Sequence, residues 1–286
     1  MLHTFATPEP TTLEIRDAAG DVVVTLADTE TTSVEVTAVQ GQGFEFLDRV
    51  LRNVPWSPGG EPDTGVADPA ARVRVEERNG TIVIDTDTAR QGWRSSFLVV
   101  VTAPVGSGVR VQSQSADVRI SGRAGRAEVR TASGEVQVDD VDGGALLQTA
   151  SGDVVIRQVG GDLDAKTASG SITADAVVGV ATVVTTSGDI RLAGAGEGIV
   201  ARSVSGDVRI ADAARGRLEA TSVSGDVEIG VHPGSGATVS LSTLTGDTNT
   251  DFEVTDSPTD PVAGPALDIR VKTTSGDIRL RRAVSA

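Results

Sequence analysis

The chain has 286 residues, a net charge of −15, no cysteine and 2 % aromatic residues. The acidic charge argues against a nucleic-acid-binding protein, because such binding needs basic side chains that neutralise phosphates. The two histidines, His3 and His232, lie far apart in the sequence, so there is little material for a histidine-based triad or metal centre. We therefore expect a protein without a cofactor.

The N-terminal segment contains the first predicted strands. Its first residues, 1–5, lack a basic region followed by an apolar one, so they do not form a signal peptide. No run of 18 apolar residues is present anywhere, which argues against a membrane span. We therefore expect a cytoplasmic protein. Residues 13–24 show two short apolar alternations around Ala-Gly-Asp at 19–21, which predict a strand, a turn and a second strand.

An insertion at residues 41–71 interrupts this pattern. It has helical spacing of apolar residues and holds three of the seven aromatic residues in the chain. Aromatic residues clustered on a polar protein are favoured interface anchors. The predicted partner-binding residues are Phe44, Phe46, Leu47, Val50, Leu51 and Trp56. The interpretation favoured over partner binding is that this segment packs over the flank or the open end of the first coils and protects their backbone.

Residues 73–84 repeat the first pattern around Asn79-Gly80-Thr81. Ile82 and Ile84 then take the place that Val22 and Val24 have in the first unit. The step from Asn79 to Ser115 is 36 residues, so residues 97–102 are expected to belong to a degenerate coil between the two.

A serine-based turn motif recurs through the middle of the chain. The motif is mostly Ser-Gly-Asp, and it returns at steps of 18 residues with one step of 19, at Ser115, Ser133, Ser151, Ser169, Ser187, Ser205 and Ser224. A fixed period of this length indicates a repeat architecture in which each unit contacts only its neighbours. The regular coils extend over about residues 109–230.

Apolar columns on both sides of the motif predict two short strands per coil. The positions six and four before the serine are apolar in every copy, and so are the positions three and five after it. These positions hold Val, Ile, Leu or Ala. This alternation predicts strands that pair in parallel with those of the preceding coil and form two sheets face to face. The hydroxyl residues two before the serine share this parity, so we expect them to point inward and to bond backbone carbonyls.

The predicted fold is all-β: a parallel β-solenoid of about eleven to twelve coils, 18 residues per regular coil, in a single domain over residues 1–286. Each coil is expected to stack on the one before it, with the right-handed crossover that is the default. A left-handed hexapeptide solenoid also has 18 residues per coil. That alternative fails, since its apolar phase would fall on Asp142, Gln148, Gly160 and Lys166.

The C-terminal part is less regular. The copy around Asp247 has Thr248 and Thr250 where other copies have an apolar pair, so this coil should be locally weak. Residues 251–266 are rich in Pro and Asp and predict a surface loop, and residues 267–282 form the last coil.

The acidic residue of each turn has two interpretations. Stacked carboxylates can bind Ca²⁺, but the Gly-Gly-x-Gly-x-Asp run of calcium-binding solenoid turns is absent from the sequence. The favoured interpretation is structural: the acidic side chain accepts hydrogen bonds from backbone N–H groups, and an Arg two residues later, as in Asp189 and Arg191, relieves the repulsion.

Three stretches carry a family resemblance: Thr131-Ala-Ser-Gly-Glu-Val, Thr149-Ala-Ser-Gly-Asp-Val and Thr185-Thr-Ser-Gly-Asp-Ile. They resemble the bacterial putative-adhesin family of β-strand-repeat domains of unknown function. The resemblance implies a β-solenoid with a non-catalytic role, and it brings no catalytic residues.

The predicted function is a non-enzymatic scaffold for protein interaction or assembly, and its partner is an unknown protein or a second copy of the chain. One alternative is a cell-surface adhesin. Another is a carbohydrate-active enzyme of the β-helix type, which is disfavoured because Trp56 and Trp93 are too few to line an aromatic sugar cleft.

Overall fold

A computed structural model describes residues 1–39, 70, 73–86, 96–252 and 266–283 of the chain. These residues form 23 β-strands, numbered in chain order, and no α-helix. The all-β solenoid predicted from the sequence is confirmed. The six predicted partner-binding residues, from Phe44 to Trp56, lie outside the described residues, and so does most of the predicted loop at 251–266.

The first sheet is formed by the strands that precede the Ser-Gly-Asp turns. Its parallel strands, in spatial order, are β5 (Thr81–Asp85), the first half of β2 (Thr12–Ala27), the first half of β7 (Gly108–Ala124), β8 (Arg126–Ser133), β10 (Ala145–Ser151), β12 (Leu163–Ser169), β14 (Val180–Ser187), β16 (Gly198–Arg202), β18 (Gly216–Thr221), β22 (Ala266–Ser275) and β20 (Gly236–Thr245).

The second sheet is formed by the strands that follow the turns. Its parallel strands, in the same spatial order, are β6 (Ser96–Pro104), the second half of β2, the second half of β7, β9 (Val136–Val141), β11 (Val154–Val159), β13 (Ile172–Val177), β15 (Ile190–Gly194), β17 (Val208–Ala213), β19 (Val227–Val231), β23 (Ile278–Arg282) and β21 (Thr248–Thr250). The described strands therefore make eleven coils.

The core between the sheets consists of the predicted apolar columns. Every residue of these columns in the regular coils is at most 4 % exposed, for example Ala145 at 4 % and Ile190 at 0 %. The side chains are short because the two sheets are close, which explains the low aromatic content of the sequence. The outward residues between them, such as Arg191 and Lys166, are exposed.

The turn glycines have a backbone conformation that favours glycine. Gly152 has a φ of +136°, a region that residues with a side chain rarely adopt. A Cβ atom at this position would lie 2.1 Å from the carbonyl oxygen of Gly134 in the preceding coil. The Ser-Gly-Asp turn therefore needs glycine for both its backbone angle and its close stacking.

The last coil of the sequence lies inside the stack and not at its end. β22 pairs with β18 on one side and with β20 on the other, and β23 lies in the same way between β19 and β21. Residues 236–250, called the terminal coil below, are outermost. Stacking in simple sequence order is therefore wrong at this end. Ile278 and Leu280 are apolar, so a neighbouring coil on each side stabilises them by removing them from water. Thr248 and Thr250 are polar and can stay in contact with water.

The N-terminal end shows the same inversion. β2 lies between the coil formed by β5 and β6 and the coil formed by β7, so the first coil of the sequence is second in the stack. Three more strands extend this end in the antiparallel direction: β4 (Arg74–Arg78) pairs with β5, β3 (Thr31–Val39) pairs with β6, and β1 (Leu2–Ala6) pairs with β3.

The register predicted around Asn79 is wrong. Asn79 and Gly80 have φ values of 50° and 75°, and they form the tight turn of an antiparallel hairpin between β4 and β5. Asn-Gly flanked by strands is the usual signal for such a hairpin. Ile82 aligns with Leu13 in the first sheet, so β5 is the first strand of its coil. The predicted degenerate coil at 97–102 is instead β6, the second strand of that same coil.

Candidate functional site

The acidic turn residues form a hydrogen-bonded column along one edge of the solenoid. In most coils the carboxylate accepts a hydrogen bond from the backbone N–H of the equivalent residue in the next coil. Asp189 accepts from Asp207 at 3.0 Å, Asp226 from Asp277 at 2.9 Å, and Asp277 from Asp247 at 3.0 Å. The structural interpretation of this column is confirmed, and the bonds follow the inverted coil order.

Hydroxyl residues form a second column beside the turns, and they point inward as predicted. Thr185 is 1 % exposed, and its hydroxyl donates to the carbonyl oxygen of Gly170 in the preceding coil at 3.1 Å. Thr131 and Thr149 donate instead to carbonyls within their own coil. The hydroxyl column is therefore part of the core.

A small cavity of about 70 Å³ lies beside three carboxylates near the N-terminal end of the acidic column. Asp21, Asp117 and Glu135 line it together with Arg119. Burial is the largest cause of a raised pKa of Asp21, the charge of Asp117 raises it further, and Arg119 opposes both. No cluster of three or more His, Asp or Glu side chains with metal-binding geometry occurs in the ranges that the structure describes.

A larger open cavity, of about 330 Å³, lies on the outward face of the first sheet across its last three coils. The strand alternation places the charged and polar residues of β18, β22 and β20 on this face, in aligned rows. We call this surface the C-terminal face, and it consists of Arg217, Glu219, Thr221, Arg270, Lys272, Ser240 and Ser242.

The C-terminal face exists because of the coil inversion. Arg270 aligns with Glu219 on one side and with Ser240 on the other, and Lys272 lies in the same way between Thr221 and Ser242. Residues about thirty to fifty positions apart in the sequence are thereby brought to adjacent strands. A local sequence pattern does not carry this arrangement.

Several polar groups of the C-terminal face have no partner. Within the described ranges, the structure records no hydrogen bond or ion pair for the side chains of Lys272, Ser240 and Ser242. Lys166 occupies the same column in an internal coil, and its Nζ lies 2.9 Å from an oxygen of Asp164. Outward polar groups such as Gln148 also lack a recorded partner in internal coils. What distinguishes this end is Lys272, because the other cations of its column, Arg130, Lys166 and Arg202, are paired with carboxylates.

Positive charge dominates the electrostatics of the face. The pKa of Glu219 is lowered, chiefly by a hydrogen bond from Arg202 at 2.9 Å, and the charges of Arg202, Arg217 and Arg270 add to this effect against an opposing contribution from burial. With Lys272 included, four cationic side chains stand against two carboxylates, Glu219 and Asp268, and Asp268 pairs with Arg270 at 3.0 Å. Such a surface attracts anionic groups locally, because charges farther away than about 8–10 Å are screened at physiological salt.

Exposed apolar side chains flank the face on its turn side. Leu244 is 81 % exposed, and Val223 and Val204 are 45 % and 46 % exposed. Each stands one residue before the serine position of its coil, on the outward side of the sheet. The cationic cavity therefore lies next to three exposed apolar side chains, which we call the apolar ridge. Val204 and Val223 are in adjacent coils, and Thr274 of the last coil stands between Val223 and Leu244.

The C-terminal face was not predicted from the sequence. The predicted partner-binding residues at 44–56 lie outside the described residues, so that prediction stays a prediction. One signal was available, because the last coil carries Arg270, Lys272, Arg279, Arg281 and Arg282 in a chain with a net charge of −15. In the described part of the chain, no helix has the length and apolar composition of a membrane span.

Similar folds occur among solved structures, although no curated protein matches the chain. One is described as a putative adhesin from Bacteroides fragilis NCTC 9343, with 12 % identity, a TM-score of 0.45, and coverage of 98 % of this chain and 96 % of the other. A putative adhesin from Parabacteroides merdae ATCC 43184 has 14 % identity and a TM-score of 0.47, with coverage of 98 % and 95 %. A putative lipid binding protein from Parabacteroides distasonis ATCC 8503 has 13 % identity and a TM-score of 0.48, with coverage of 98 % and 96 %.

The family comparison covers most of the solenoid. The Toastrack DUF4097 family matches residues 68–281, about three quarters of the chain, including all the regular coils and the inverted C-terminal pair. The resemblance to a family of β-strand-repeat domains is confirmed. The protein belongs to the Toastrack DUF4097 family.

Proposed function

We propose that this protein is a non-enzymatic β-solenoid scaffold that binds a partner protein through its C-terminal face. The observation that carries the proposal is the set of unpaired polar groups on that face, with Lys272 and the hydroxyls of Ser240 and Ser242 at an open cavity of about 330 Å³. In the internal coils, by contrast, outward charges are largely paired with neighbours on the same sheet, as Lys166 is with Asp164.

The chemistry of the face indicates the kind of partner. Cationic side chains and free hydroxyls donate hydrogen bonds, so they suit carboxylates on the partner. The ridge at Val223 and Leu244 adds apolar area beside them, and clustered apolar side chains on a polar surface commonly mark protein interfaces. A protein segment with acidic residues next to an apolar one satisfies both features.

The absence of catalytic activity is part of the same proposal. Asp21 of the acidic column has a raised pKa, and it neighbours Asp117 and Arg119. This arrangement lacks a nucleophile paired with a base, which acyl-transfer and related chemistry require. The acidic and hydroxyl columns support stacking of the coils, as their hydrogen bonds to backbone groups indicate.

Affinity capture from an extract of the source cell with matched variants tests the proposal. Lys272→Glu reverses a charge on the face, and Lys166→Glu makes the same change in the same column of an internal coil. We expect one or more proteins to be retained by the wild type and by Lys166→Glu but to be lost with Lys272→Glu. Leu244→Ser should weaken the same interaction, because it removes an apolar side chain that is 81 % exposed.

Thermal unfolding of each variant provides the control for folding. All the changed residues are exposed, so the melting temperatures should differ little from the wild type. If Lys272→Glu and Lys166→Glu retain the same proteins, the C-terminal face is not the binding surface and the proposal fails.

A further inference from the structure

The terminal coil has one open side. β20 pairs with β22, and β21 pairs with β23, and neither strand has a second neighbour among the described residues. Ten residues of β20 therefore present half of their backbone N–H and C=O groups at a free edge. A free edge is a template for pairing with another strand.

The turn of the terminal coil leaves specific hydrogen-bonding groups unused. In the coil beneath it, the Gly276 N–H donates to the Thr245 carbonyl at 3.0 Å and the Ile278 N–H donates to the Asp247 carbonyl at 2.9 Å. The equivalent donors of the terminal coil are the N–H groups of Gly246 and Thr248. No acceptor for either is recorded within the described ranges.

This edge lacks the features that usually prevent pairing. β20 and β21 contain no charged residue and no proline, whereas lysine, proline and inward-pointing charges are the common protections of natural edge strands. At the other end of the first sheet, the outermost strand β4 has the sequence Arg-Val-Glu-Glu-Arg. One edge is protected by charge, and the other is not.

The end of the core is also partly open at the terminal coil. Val239 and Leu241 continue the apolar columns, but both are only partly buried, whereas Ile269 and Val271 of the coil beneath are 0 % and 3 % exposed. A single bound peptide would cover one sheet edge. A partner that covers β20, β21 and the core between them must be about as wide as a coil of the solenoid.

We propose that two copies of this chain associate end to end through their terminal coils, with β20 of one copy antiparallel to β20 of the other. The antiparallel β4, β3 and β1 occupy the N-terminal end, so the second copy contributes its own terminal coil. Two identical edges that meet in this way are related by a two-fold axis, which gives a closed dimer.

The charge distribution allows this contact despite the net charge of −15. Within 236–252 and 266–283, five cationic residues stand against Asp247, Asp251, Asp268 and Asp277, so these two coils carry about +1. The described residues of these two coils therefore add little like-charge repulsion between two copies. Thr248 and Thr250 tolerate water, which keeps the separated copies soluble and makes the dimer reversible.

Sedimentation velocity and light scattering over about three decades of protein concentration test this proposal. The mass should rise from 29.2 kDa toward twice that value as concentration increases. The double variant Thr238→Lys, Asn249→Lys places a charge on each strand of the terminal coil at exposed, outward positions outside the cavity of the C-terminal face. It should raise the dimer dissociation constant at least about tenfold, a change of about 1.4 kcal/mol.

The matched control is Thr182→Lys, Thr173→Lys, which adds the same charge to outward positions of internal coils. It should dimerise like the wild type. Hydrogen exchange provides a second readout, with protection of residues 238–248 that increases with protein concentration. A wild type that stays monomeric at every concentration, or a dimer that both double variants leave unchanged, overturns the proposal. Both results are independent of partner capture by the C-terminal face.

Discussion

At the N-terminal end of the solenoid, β4 and β3 pair with the outermost coil in the antiparallel direction, whereas at the C-terminal end β20 and β21 have a described neighbour on one side only. The core follows the same division. Ile82, in the outermost coil of the N-terminal end, is 0 % exposed, while Val239, in the same column of the terminal coil, is partly exposed. One end is closed by further strands, and the other is adapted to an open surface.

The two ends share one property, which is that the coil nearest each chain terminus is covered on both sides. Residues 12–27 lie under the coil at 81–104, and residues 267–282 lie under the coil at 236–250. Segments near chain termini fray easily unless they are paired. The inversions therefore cover both of these coils on two sides, and they leave outermost a coil that is connected at both of its ends.

The largest expected difference between the ends concerns a charge in the core. Ile82→Asp would put a carboxylate at a fully buried site between the sheets and should cost several kcal/mol. Val239→Asp makes the same change at the partly exposed site of the same column, so the ionised group keeps part of its water and the cost should be about 1 kcal/mol.

Urea unfolding measures both costs. The C-terminal variant should unfold at nearly the wild-type midpoint, while the N-terminal variant should unfold at a much lower one. Equal midpoints would mean that the terminal coil is as well covered as the N-terminal coil, and the comparison between the ends would fail.

The turns of the two ends should respond differently to alanine. Gly276 has a φ of +148°, and a Cβ atom there would lie 2.2 Å from the carbonyl oxygen of Gly225, so Gly276→Ala should cost more than about 3 kcal/mol. Gly80, in the hairpin of the N-terminal end, has a φ of +75° and open space around its Cβ direction. Gly80→Ala should therefore cost only about 1–2 kcal/mol, the penalty of the left-handed conformation itself. Melting temperatures that rank the two variants in the opposite order would contradict the stacking of Gly276 on Gly225.

The repeat could be predicted from the sequence because its physical causes are local and recur. Val154 and Ile156 alternate with outward residues, and Gly152 supplies the turn, so one coil already shows its two strands. Stacking the copies in the regular block needs only the constant period. For these coils, the predicted strands and their parity agree with the structure.

The ends could not be predicted in the same way, because their placement depends on competition between coils. Either residues 236–250 or residues 267–282 could be outermost, and a few side chains decide between them. One example is the polar Thr248, which aligns with the apolar Ile278. At Asn79, a hairpin signal and the solenoid register compete for the same residues, and the hairpin prevails. The C-terminal face depends on the same placement, so the sequence pattern did not reveal it.

The acidic column should contribute unequally at the two ends. Asp277 accepts a hydrogen bond from the Asp247 N–H at 3.0 Å, so Asp277→Ala should cost about 0.5–1.5 kcal/mol. Asp21 has no such bond recorded within the described ranges, and its pKa is raised by burial and by Asp117. A raised pKa means that the folded state disfavours the ionised carboxylate, so the contribution of this group to stability decreases as the pH rises.

Asp21→Asn should therefore raise the melting temperature slightly at pH 7. The gain should vanish below the ordinary pKa of 3.8, where the carboxyl group is protonated in both the folded and the unfolded states. Thermal scans across pH measure the effect. A stabilisation that is largest in acid would contradict the assigned direction of the pKa.

Removing the charges of the edge strand β4 should have the smallest effect on stability. It should nevertheless change how the protein associates. Arg74 and Arg78 pair with Glu76 at 2.5 and 2.8 Å, and exposed pairs of this kind contribute about 0–1 kcal/mol each. Replacing Arg74, Glu76, Glu77 and Arg78 by threonine leaves the net charge of −15 unchanged and keeps a residue type that suits strands. The fold should persist, but the N-terminal edge of the first sheet loses its charges and should then pair with other strands.

This variant is best made together with Thr238→Lys and Asn249→Lys, so that association through the terminal coil is already weakened. In that background, a mass that increases with concentration can be assigned to the N-terminal end. The same background with the four charges retained is the control, and it should stay monomeric over the same range. If removing the four charges leaves the protein monomeric, then charge is not what protects this edge. The hairpin geometry around Gly80 would then be the feature that keeps the N-terminal end from pairing, since a strongly twisted two-stranded ribbon turns its edge away from a flat neighbour.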